Sequence, residues 1–514
     1  MKSPRSFWIF LIVGILLRSV ALNQPLIDAH LFRQCQTADA VQSLIDAPGW
    51  ELSARASWLG DTGGRLVQEL PLYNFLVVLL HRVTGHLDAS GKIVTILLWA
   101  ASFICLQSLW LRLLTARQTL WANFLFVLSP LSIFFGQAFM PEMLIRLCEF
   151  AFLAALLAYC EKERLSLFII CTVAGAIGML VKTPEFSHLY IAAGLILFQK
   201  EGWRVLRRPR YWVALIATAA CVKGWASFID ATNAQSFPEW TASASSQGMF
   251  GSLRDRFSLH PYLKYAGYLA IFACTPAGLL LALLGGWSVT RRAREHRILV
   301  AWGISVAAFY AVWGPRTAGE HSYYHLPALG VACALFGIGA ERLCEFASGW
   351  RGLPAARTAC VAIALAVLAA SAGATLYLFQ QDRTIFSAAI WVKENVPKGE
   401  LVLFKMNHRQ EIDYAHVPTF SYYAKRNAWV FSRLMPDVRR VRALQTSKWA
   451  VVTRPHEDDG TVGRLRRLLR GGERRIEPED MSWLEKDAGF VRFTETPEFT
   501  VYKKRAATDA AGGS

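Results

Sequence analysis

Long apolar runs that carry almost no charged side chains constrain the fold of this chain more than any other feature. About eleven such runs are present, at residues 7–23, 92–111, 119–136, 143–159, 165–181, 186–198, 211–229, 265–287, 298–314, 323–340 and 358–379. A helix that spans a bilayer needs about 20 predominantly apolar residues. Because 54% of the residues are hydrophobic and only 18% are charged, the sequence predicts a polytopic α-helical membrane protein with about 11 transmembrane helices.

Positive charges cluster in the short loops that follow every second run. These loops hold Arg112 and Arg117, Lys162 and Arg164, Lys200 with Arg204 to Arg210, Arg291 to Arg297, and Arg342, Arg351 and Arg357. Loops rich in Lys and Arg stay in the cytoplasm. The pattern therefore predicts a multi-pass protein of the plasma (inner) membrane, with a cytoplasmic N-terminus and an extracytoplasmic C-terminal region. It also explains the net charge of +17 without a nucleic-acid partner.

The first run has two interpretations. With Lys2 and Arg5 before it, the run could be a cleaved signal peptide. Arg18 interrupts the run near its outer end, and no pair of small residues follows at cleavage-site spacing. The sequence favours a retained membrane anchor.

Three regions are expected outside the membrane: a first outer loop at 24–91, a second at about 230–264, and everything after about 380. Within the first loop, apolar residues recur at helical spacing over 29–45 and 71–84. Both segments are too short to span a bilayer, so each is predicted to be a helix that lies in the outer interface.

The C-terminal region alternates short β-rich runs with helical segments. Strands are predicted at 401–404, 428–431, 449–453, 490–493 and 499–504, and helices at 384–396 and 461–470. The pattern predicts a soluble extracytoplasmic α/β domain over 381–505, followed by a disordered tail at 506–514.

Several function classes find no support in the sequence. Of the ten cysteines only Cys35 lies in a predicted outer loop, and no CxxC pair is present, so neither a disulfide framework nor a zinc site is expected. No P-loop and no GxGxxG motif after a strand is found, so cytoplasmic nucleotide chemistry is not expected either.

Ionisable and amide side chains crowd the segment that follows the first run. Asp28, His30, Arg33 and Gln34 lie just beyond it, and ionisable groups at a bilayer surface usually serve chemistry. A structural interpretation is also open: Asp28 could be the N-cap of a helix that begins at Ala29. Arg33 could pair with Asp28 or contact lipid headgroups.

Five motifs, in order, carry a resemblance to a known superfamily. They are DAHLFRQCQTA from residue 28, QELPLYNFLVVLL at 68–80, SPLSIFFGQAFMPEML at 129–144, KTPEF at 182–186 and EHSYYHLPAL at 320–329. Over residues 1–380 the chain resembles the GT-C superfamily of polyprenyl-phosphate-sugar-dependent glycosyltransferases. The branches that it resembles in motif order are the protein O-mannosyltransferases of glycosyltransferase family 39 and the lipid A aminoarabinose transferases.

The resemblance implies transfer of a hexose or pentose from a polyprenyl-phosphate donor to a lipid, glycan or protein acceptor at the outer face, as part of cell envelope biogenesis. It also implies an inverting reaction with Asp28 as the catalytic base. The family often has a second acidic residue beside this one, whereas this chain has Ala29 and then His30. For this chemistry we expect catalytic assistance by His30 and Glu142, and acceptor or sugar binding by Arg33, Gln34, Tyr323 and His325. Donor phosphate binding is expected from Lys182, Arg316 and His321, because all three lie near the outer ends of predicted spans.

Simpler roles remain open for these residues. Glu142 follows Pro141 and suits the first turn of a helix, Lys182 could extend along apolar surface to the interface, and Tyr323 and His325 suit an interfacial aromatic belt. The sequence leaves open whether a divalent cation assists and what the C-terminal domain recognises. A transporter or flippase for a lipid-linked or polar solute is the alternative function, and a non-catalytic envelope assembly protein is a third.

Overall fold

The chain folds into two compact units. The computed structural model describes residues 5–236, 241, 253–289, 293–313, 321–406, 417–430, 437–454, 481–486 and 488–505. The membrane unit comprises residues 1–24, 68–230 and 239–379, and the C-terminal unit comprises 25–67, 231–238 and 380–514. The sequence grouped the whole first outer loop with the membrane domain, whereas residues 25–67 of that loop pack with the C-terminal region.

Helices dominate the chain as far as Asn395, and most of the strands follow that residue. The first half contains α1 (Arg5–Ser19), α2 (Leu31–Asp46), β1 (Ala54–Arg55), β2 (Arg65–Leu66), α3 (Leu72–Thr84), α4 (Leu87–Leu113), α5 (Ala116–Leu128), α6 (Pro130–Phe135), α7 (Glu142–Lys162), α8 (Leu165–Phe186), α9 (His188–Glu201) and α10 (Pro209–Ser236). Next come α11 (Leu253–Phe257), α12 (Leu259–Tyr268), α13 (Pro276–Ser288), α14 (Arg294–Val312) and α15 (Leu326–Leu378). The remainder is α16 (Arg383–Asn395), β3 (Val402–Met406), α17 (Val417–Ala424), β4 (Ala428–Val430), α18 (Asp437–Thr446), β5 (Trp449–Thr453), α19 (Ser482–Lys486), β6 (Phe490–Glu495) and β7 (Phe499–Lys504).

Among the described residues, six segments are long and apolar enough to cross a membrane by length and composition. They are Leu87–Leu113, Glu142–Lys162, Leu165–Phe186, Pro209–Ser236, Ser322–Trp350 and Gly352–Asn395. A seventh is obtained if Leu259–Ala273 and Pro276–Ser288, which are bent by 110°, count as one span. Other predicted spans correspond to shorter helices, such as α1 with 15 residues and α9 with 14. The protein is a multi-pass membrane protein, and the count of about 11 spans stays a prediction.

One predicted span, at 119–136, is broken between α5 and α6 at Pro130, which has no N–H to donate. Carbonyls at the end of a helix need partners from elsewhere. The guanidinium of Arg18 supplies them, donating to the Val127 carbonyl at 3.4 Å and to the Ser132 carbonyl at 3.1 Å. Arg18 is fully buried and lies 3.6 Å from the ring centroid of Trp99. Helix α1 thus packs within the membrane unit, and its retention as an anchor stays a prediction.

Helix α15 reverses direction within its 53 residues. Gly352 has a φ of +76°, a left-handed conformation that a residue without Cβ adopts readily. The Sγ atoms of Cys344 and Cys360 lie 2.9 Å apart, although 16 residues of straight helix would separate them by about 24 Å. The chain therefore turns back on itself, which accounts for the two separate spans on either side of Gly352.

The C-terminal unit contains a five-stranded mixed sheet in the order β4-β3-β5-β7-β6. Strands β4, β3 and β5 are parallel, and β7 pairs antiparallel with both β5 and β6. All five predicted strand runs become strands of this sheet. The core on one face includes Leu403, Trp429, Ala450 and Tyr502. The predicted helix at 461–470 and the predicted disordered tail at 506–514 lie outside the described residues.

The two short helices predicted in the first outer loop are both confirmed. The segment 29–45 is helix α2, which begins at Leu31 rather than at Ala29. The segment 71–84 is helix α3, with Pro71 as its N-cap residue and Gly85 in the left-handed conformation at its C-terminal end.

Candidate functional site

Asp28 lies in the C-terminal unit, two residues before the N-cap of α2. Its side chain is only 2% exposed. The Nε2 of Gln34, one turn into α2, donates to Asp28 Oδ1 at 2.5 Å and to the Ala29 carbonyl at 3.0 Å. Because the Gln34 amide donates both to the Asp28 carboxylate and to the Ala29 carbonyl, it holds the carboxylate in one orientation.

The side chain of Asp28 does not cap a helix. The N-cap residue of α2 is His30, and no side chain makes a capping hydrogen bond there. His30 has a φ of +58° and a ψ of +29°, an uncommon conformation for a residue other than glycine. The structural interpretation of Asp28 as an N-cap of a helix from Ala29 is therefore wrong, since α2 begins at Leu31 and its N-cap residue is His30.

Two further polar groups of α2 are placed by local contacts. Arg33 Nη1 donates to Gln36 Oε1 at 2.7 Å, which keeps this half-buried guanidinium along the helix surface. The carboxylate of Asp39 accepts from Ser57 N at 2.9 Å and from Ser57 Oγ at 2.6 Å. Burial raises the pKa of Asp39 to about 6, against the opposing effect of the Ser57 hydrogen bonds.

In the membrane unit, Lys182 is held between two buried carboxylates. Its Nζ lies 2.9 Å from Glu142 Oε1 and 2.5 Å from Glu185 Oε1. Glu142 is the first residue of α7, and Lys182 and Glu185 lie near the end of α8. The cluster therefore joins two predicted membrane helices at adjacent ends.

A kink in α8 determines where Lys182 lies. Pro184 removes the N–H that would bond to the Leu180 carbonyl, and that carbonyl accepts instead from Leu70 N at 3.2 Å. Lys182 itself has non-helical angles, with a φ of −156° and a ψ of 84°. The QELPLYN motif is thus joined by a backbone hydrogen bond to Leu180, two residues before the KTPEF motif.

Arg146 extends this charged cluster. Its Nη2 lies 3.2 Å from Glu185 Oε2, and its Nη1 pairs with Glu149. The buried cluster thus contains three carboxylates and two cations, all fully or nearly fully buried. The sequence analysis missed Arg146, Glu149 and Glu185 as site residues. The available signals were two ionisable residues inside the apolar run 143–159 and, for Glu185, its place in the KTPEF motif.

Aromatic residues of the EHSYYH motif lie against the same lysine. Lys182 Nζ is 4.0 Å from the ring centroid of Tyr323 and 5.1 Å from that of Tyr324. The imidazole of His321 stacks on Tyr323 at 5.1 Å with an interplanar angle of 9°. Of the predicted donor-binding residues, Lys182 and His321 are therefore brought together through Tyr323, and Arg316 lies outside the described residues.

His325 lies deeper, in an aromatic cluster. Its ring is fully buried and stacks on Tyr268 at 4.8 Å, and its Nδ1 lies 2.9 Å from the Tyr310 hydroxyl. The predicted sugar-binding His325 is thus enclosed by aromatic rings. Within the described part of the chain, no group of three or more His, Cys, Asp and Glu residues is arranged to hold a metal ion.

Comparison with known proteins gives one match in sequence and several in structure. Residues 68–227 match the family described as dolichyl-phosphate-mannose-protein mannosyltransferase. No sequence among the curated proteins matched. The fold is similar to that of ArnT from Cupriavidus metallidurans bound to undecaprenyl phosphate, with a TM-score of 0.62, 12% identity, and coverage of 98% of this chain and 99% of that one.

Two other solved structures share the fold. The archaeal oligosaccharyltransferase AglB from Archaeoglobus fulgidus, in complex with an inhibitory peptide and a dolichol-phosphate, has a TM-score of 0.53 at 11% identity, covering 87% of this chain and 69% of that one. The arabinofuranosyltransferase AftD from Mycobacteria has a TM-score of 0.52 at 14% identity, covering 99% of this chain and 42% of that one. Together with the family match, these findings confirm the resemblance to the GT-C superfamily.

Proposed function

We propose that this GT-C-type membrane glycosyltransferase moves a sugar from a polyprenyl-phosphate donor to an acceptor hydroxyl at the outer face of the plasma (inner) membrane, with Asp28 as the catalytic base. The observation that carries the proposal is the state of Asp28: a buried carboxylate, oriented by the Gln34 amide and not used as a helix cap. The donor class is supported by the undecaprenyl phosphate in the ArnT structure, the dolichol-phosphate in the AglB structure and the matched family's description.

The chemistry requires only one base and a stabilised leaving group. A sugar esterified to a lipid phosphate already carries a good leaving group, so no strong general acid is needed. Asp28 takes the proton of the acceptor hydroxyl as the new glycosidic bond forms, and the polyprenyl phosphate departs with the electrons of the broken bond. An inverting displacement places the base on the face of the sugar opposite the phosphate. In this proposal His30 assists Asp28, and Arg33 and Gln34 contact acceptor or sugar.

The departing phosphate needs cationic or donating partners. We assign this role to Lys182, His321 and Arg316. An ammonium group has three N–H donors, and Lys182 directs two toward Glu142 and Glu185. The third can serve a phosphate oxygen. Glu142 then acts by holding Lys182 in place, while Tyr323 contributes a sugar contact.

Asp28→Asn tests the proposal in the purified full-length protein. A panel of undecaprenyl-phosphate-linked hexoses and pentoses serves as donor, and release of undecaprenyl phosphate is measured. General-base catalysis is worth about 10²–10⁴-fold, so we expect a loss of that size with unchanged thermal stability. Asp46→Asn, at the exposed end of α2, is the matched control. Wild-type transfer by Asp28→Asn would falsify the assignment.

The acceptor can be identified by comparing envelope glycans, lipids and proteins from cells with and without the chain by mass spectrometry. A mass difference that the wild-type gene restores and the Asp28→Asn gene does not restore names both the transferred sugar and its acceptor.

A transporter for a lipid-linked solute is the competing proposal. The 110° bend between Leu259–Ala273 and Pro276–Ser288 is a feature that transporters use, since broken helices build their substrate sites. A transporter would move a fluorescent polyprenyl-phosphate sugar across vesicle membranes regardless of residue 28. Movement that is equal in wild-type and Asp28→Asn protein, without any transfer, would favour it.

A further inference from the structure

The segment that carries Asp28 folds as part of the C-terminal unit. Residues 25–67 and 380–514 form one compact body. The loop at 57–60 covers the edge strand β4, because Ala428 N donates to the Ser57 carbonyl at 2.8 Å and Gly60 N donates to the Ala428 carbonyl at 2.9 Å. An edge strand presents unpaired backbone N–H and C=O groups, and in this unit the first outer loop forms hydrogen bonds with those of Ala428. The loop and the sheet are therefore one folded structure.

Two hydrogen bonds connect the C-terminal region to the residues immediately before Asp28. Leu26 N donates to the Tyr423 hydroxyl at 2.6 Å, and Asp382 N donates to the Ile27 carbonyl at 2.8 Å. Leu26 and Ile27 are fully buried. The backbone on the N-terminal side of the proposed base is thus held at two successive residues.

The partners of these bonds are themselves fixed by two helices. Tyr423 lies at the end of α17, and its ring packs edge-on against Phe386 of α16 at 4.8 Å. Asp382 is the N-cap residue of α16, and its carboxylate accepts from Thr384 N at 3.1 Å. Helices α16 and α17 therefore form a rigid base for the segment.

On the other side, α2 holds the same segment. The Gln34 amide bonds to Asp28, and the Cys35 thiol donates to the Leu26 carbonyl at 3.3 Å. Leu26 is therefore held through its N–H by α17 and through its carbonyl by α2. A shift of either helix would move the carboxylate of Asp28.

We propose that Tyr423 is a positioning residue for the transfer reaction: its hydroxyl, acting through the backbone of Leu26 and Ile27, sets the place of the Asp28 carboxylate. The inference rests on the proposed role of Asp28 as base. It makes the C-terminal region part of the catalytic apparatus, in addition to any acceptor that it recognises. In this inference the effect of Tyr423 reaches the reaction through Asp28.

Tyr423→Phe isolates the hydroxyl, because the phenyl ring keeps its contact with Phe386. A displacement of about 1 Å at a reacting group can cost about 100-fold in rate. We expect kcat to fall by about 10–100-fold while the KM for the undecaprenyl-phosphate sugar changes by less than about threefold. Hydrogen exchange at the amide of Leu26 should become faster. Tyr422→Phe, the neighbouring residue of α17 whose ring lies under Lys425, is the matched control and should behave as wild type.

A double-mutant cycle separates this inference from the proposed function. If Tyr423 acts only through the base, Tyr423→Phe lowers kcat in the wild type but has no further effect on the residual rate of Asp28→Asn. A kcat within about threefold of wild type, an equal loss in Tyr422→Phe, or a full loss added to that of Asp28→Asn would overturn the inference. The proposed function has its own criterion, since it fails only if Asp28→Asn itself transfers sugar at the wild-type rate.

Discussion

Buried carboxylates occur in both compact units, but they are compensated differently. In the membrane unit, Glu142, Glu149 and Glu185 pair with the cations of Lys182 and Arg146. In the C-terminal unit, the hydrogen bond that orients Asp28 comes from the neutral amide of Gln34, and those to Asp39 come from Ser57.

The difference lies in what the carboxylates connect. In the membrane unit, the contacts of Lys182 with Glu142 and of Arg146 with Glu185 join α7 to α8, so these carboxylates hold two helices together. In the C-terminal unit, the described hydrogen bonds to Asp28 and Asp39 come from residues of the same first outer loop, so these carboxylates fix the local path of that loop. Burial raises the pKa of Asp39 to about 6.

The largest effect is expected from removing a cation in the membrane unit. Arg146→Met leaves Glu149 and Glu185 with less compensation, and breaking a buried ion pair on one side costs about 3–5 kcal/mol. We expect a corresponding fall in the free energy of unfolding, measured by denaturant titration in detergent. Arg146→Lys, which keeps the charge, should lose less. Equal stability of Arg146→Met and wild type would remove the distinction between the two kinds of carboxylate.

The next largest effect is the pH dependence of the free energy of unfolding that Asp39 of the C-terminal unit causes. Because burial raises the pKa of Asp39 to about 6, the folded state binds this proton more tightly than the unfolded state. The free energy of unfolding should therefore fall as pH rises from about 4 to about 6, by on the order of 3 kcal/mol for this group. Asp39→Asn should remove this component, seen as the difference between the pH profiles of mutant and wild type. The exposed Asp46→Asn should change the profile much less, because Asp46 makes the smallest of the contributions to the raised pKa of Asp39. A profile for Asp39→Asn that runs parallel to that of the wild type would contradict the prediction.

A smaller effect is expected from the amide that orients Asp28. Gln34→Leu keeps the size of the side chain but removes its donor, and we expect transfer to fall by about 5-fold, since a net hydrogen bond contributes about 1 kcal/mol. Gln34→Glu should be worse than Gln34→Leu, because a second carboxylate beside Asp28 raises the energy of both charged forms. The measurement is kcat in the transfer assay, and equal rates for the two variants would argue against an electrostatic role.

The smallest effect tests the cap that supports the Asp28 segment. Asp382→Ala removes the N-cap of α16 and should cost about 1 kcal/mol of stability, whereas Asp382→Asn preserves the cap. Thermal unfolding of the two variants compares them directly. A loss in Asp382→Asn as large as that in Asp382→Ala would show that the carboxylate charge, rather than capping, matters.

The fold was predictable from sequence where one local signal suffices. Five strands could be predicted because β-branched and aromatic residues are bounded by turn signals, and all five are confirmed: 401–404, 428–431, 449–453, 490–493 and 499–504. The breaks at Pro130 and Thr275 were not predicted, because an apolar run looks the same whether its helix is straight or bent. A hydropathy pattern reports burial in lipid and carries little information on helix direction.

The candidate site was predictable to a similar degree. The segment around Asp28 was found because ionisable residues stand next to an apolar run, and Lys182 and Glu142 were named although their pairing was not. Arg146 and Glu149 were missed because they lie inside an apolar run. Arg146 pairs with Glu149 on its own helix, but its second partner, Glu185, lies on another helix, and no local pattern indicates that contact.

What the sequence determined by itself is the membrane class, the local elements and the chemistry-bearing residue types, since these depend on composition and on periodicities of two to four residues. Only the tertiary structure decided that residues 25–67 pack with the region after 380, that Tyr423 and Asp382 hold the segment before Asp28, and that Lys182 lies between two glutamates. The physical reason is distance along the chain: most of these contacts join residues that are 40 to nearly 400 positions apart, and no local pattern records which distant partner will compensate a buried polar group.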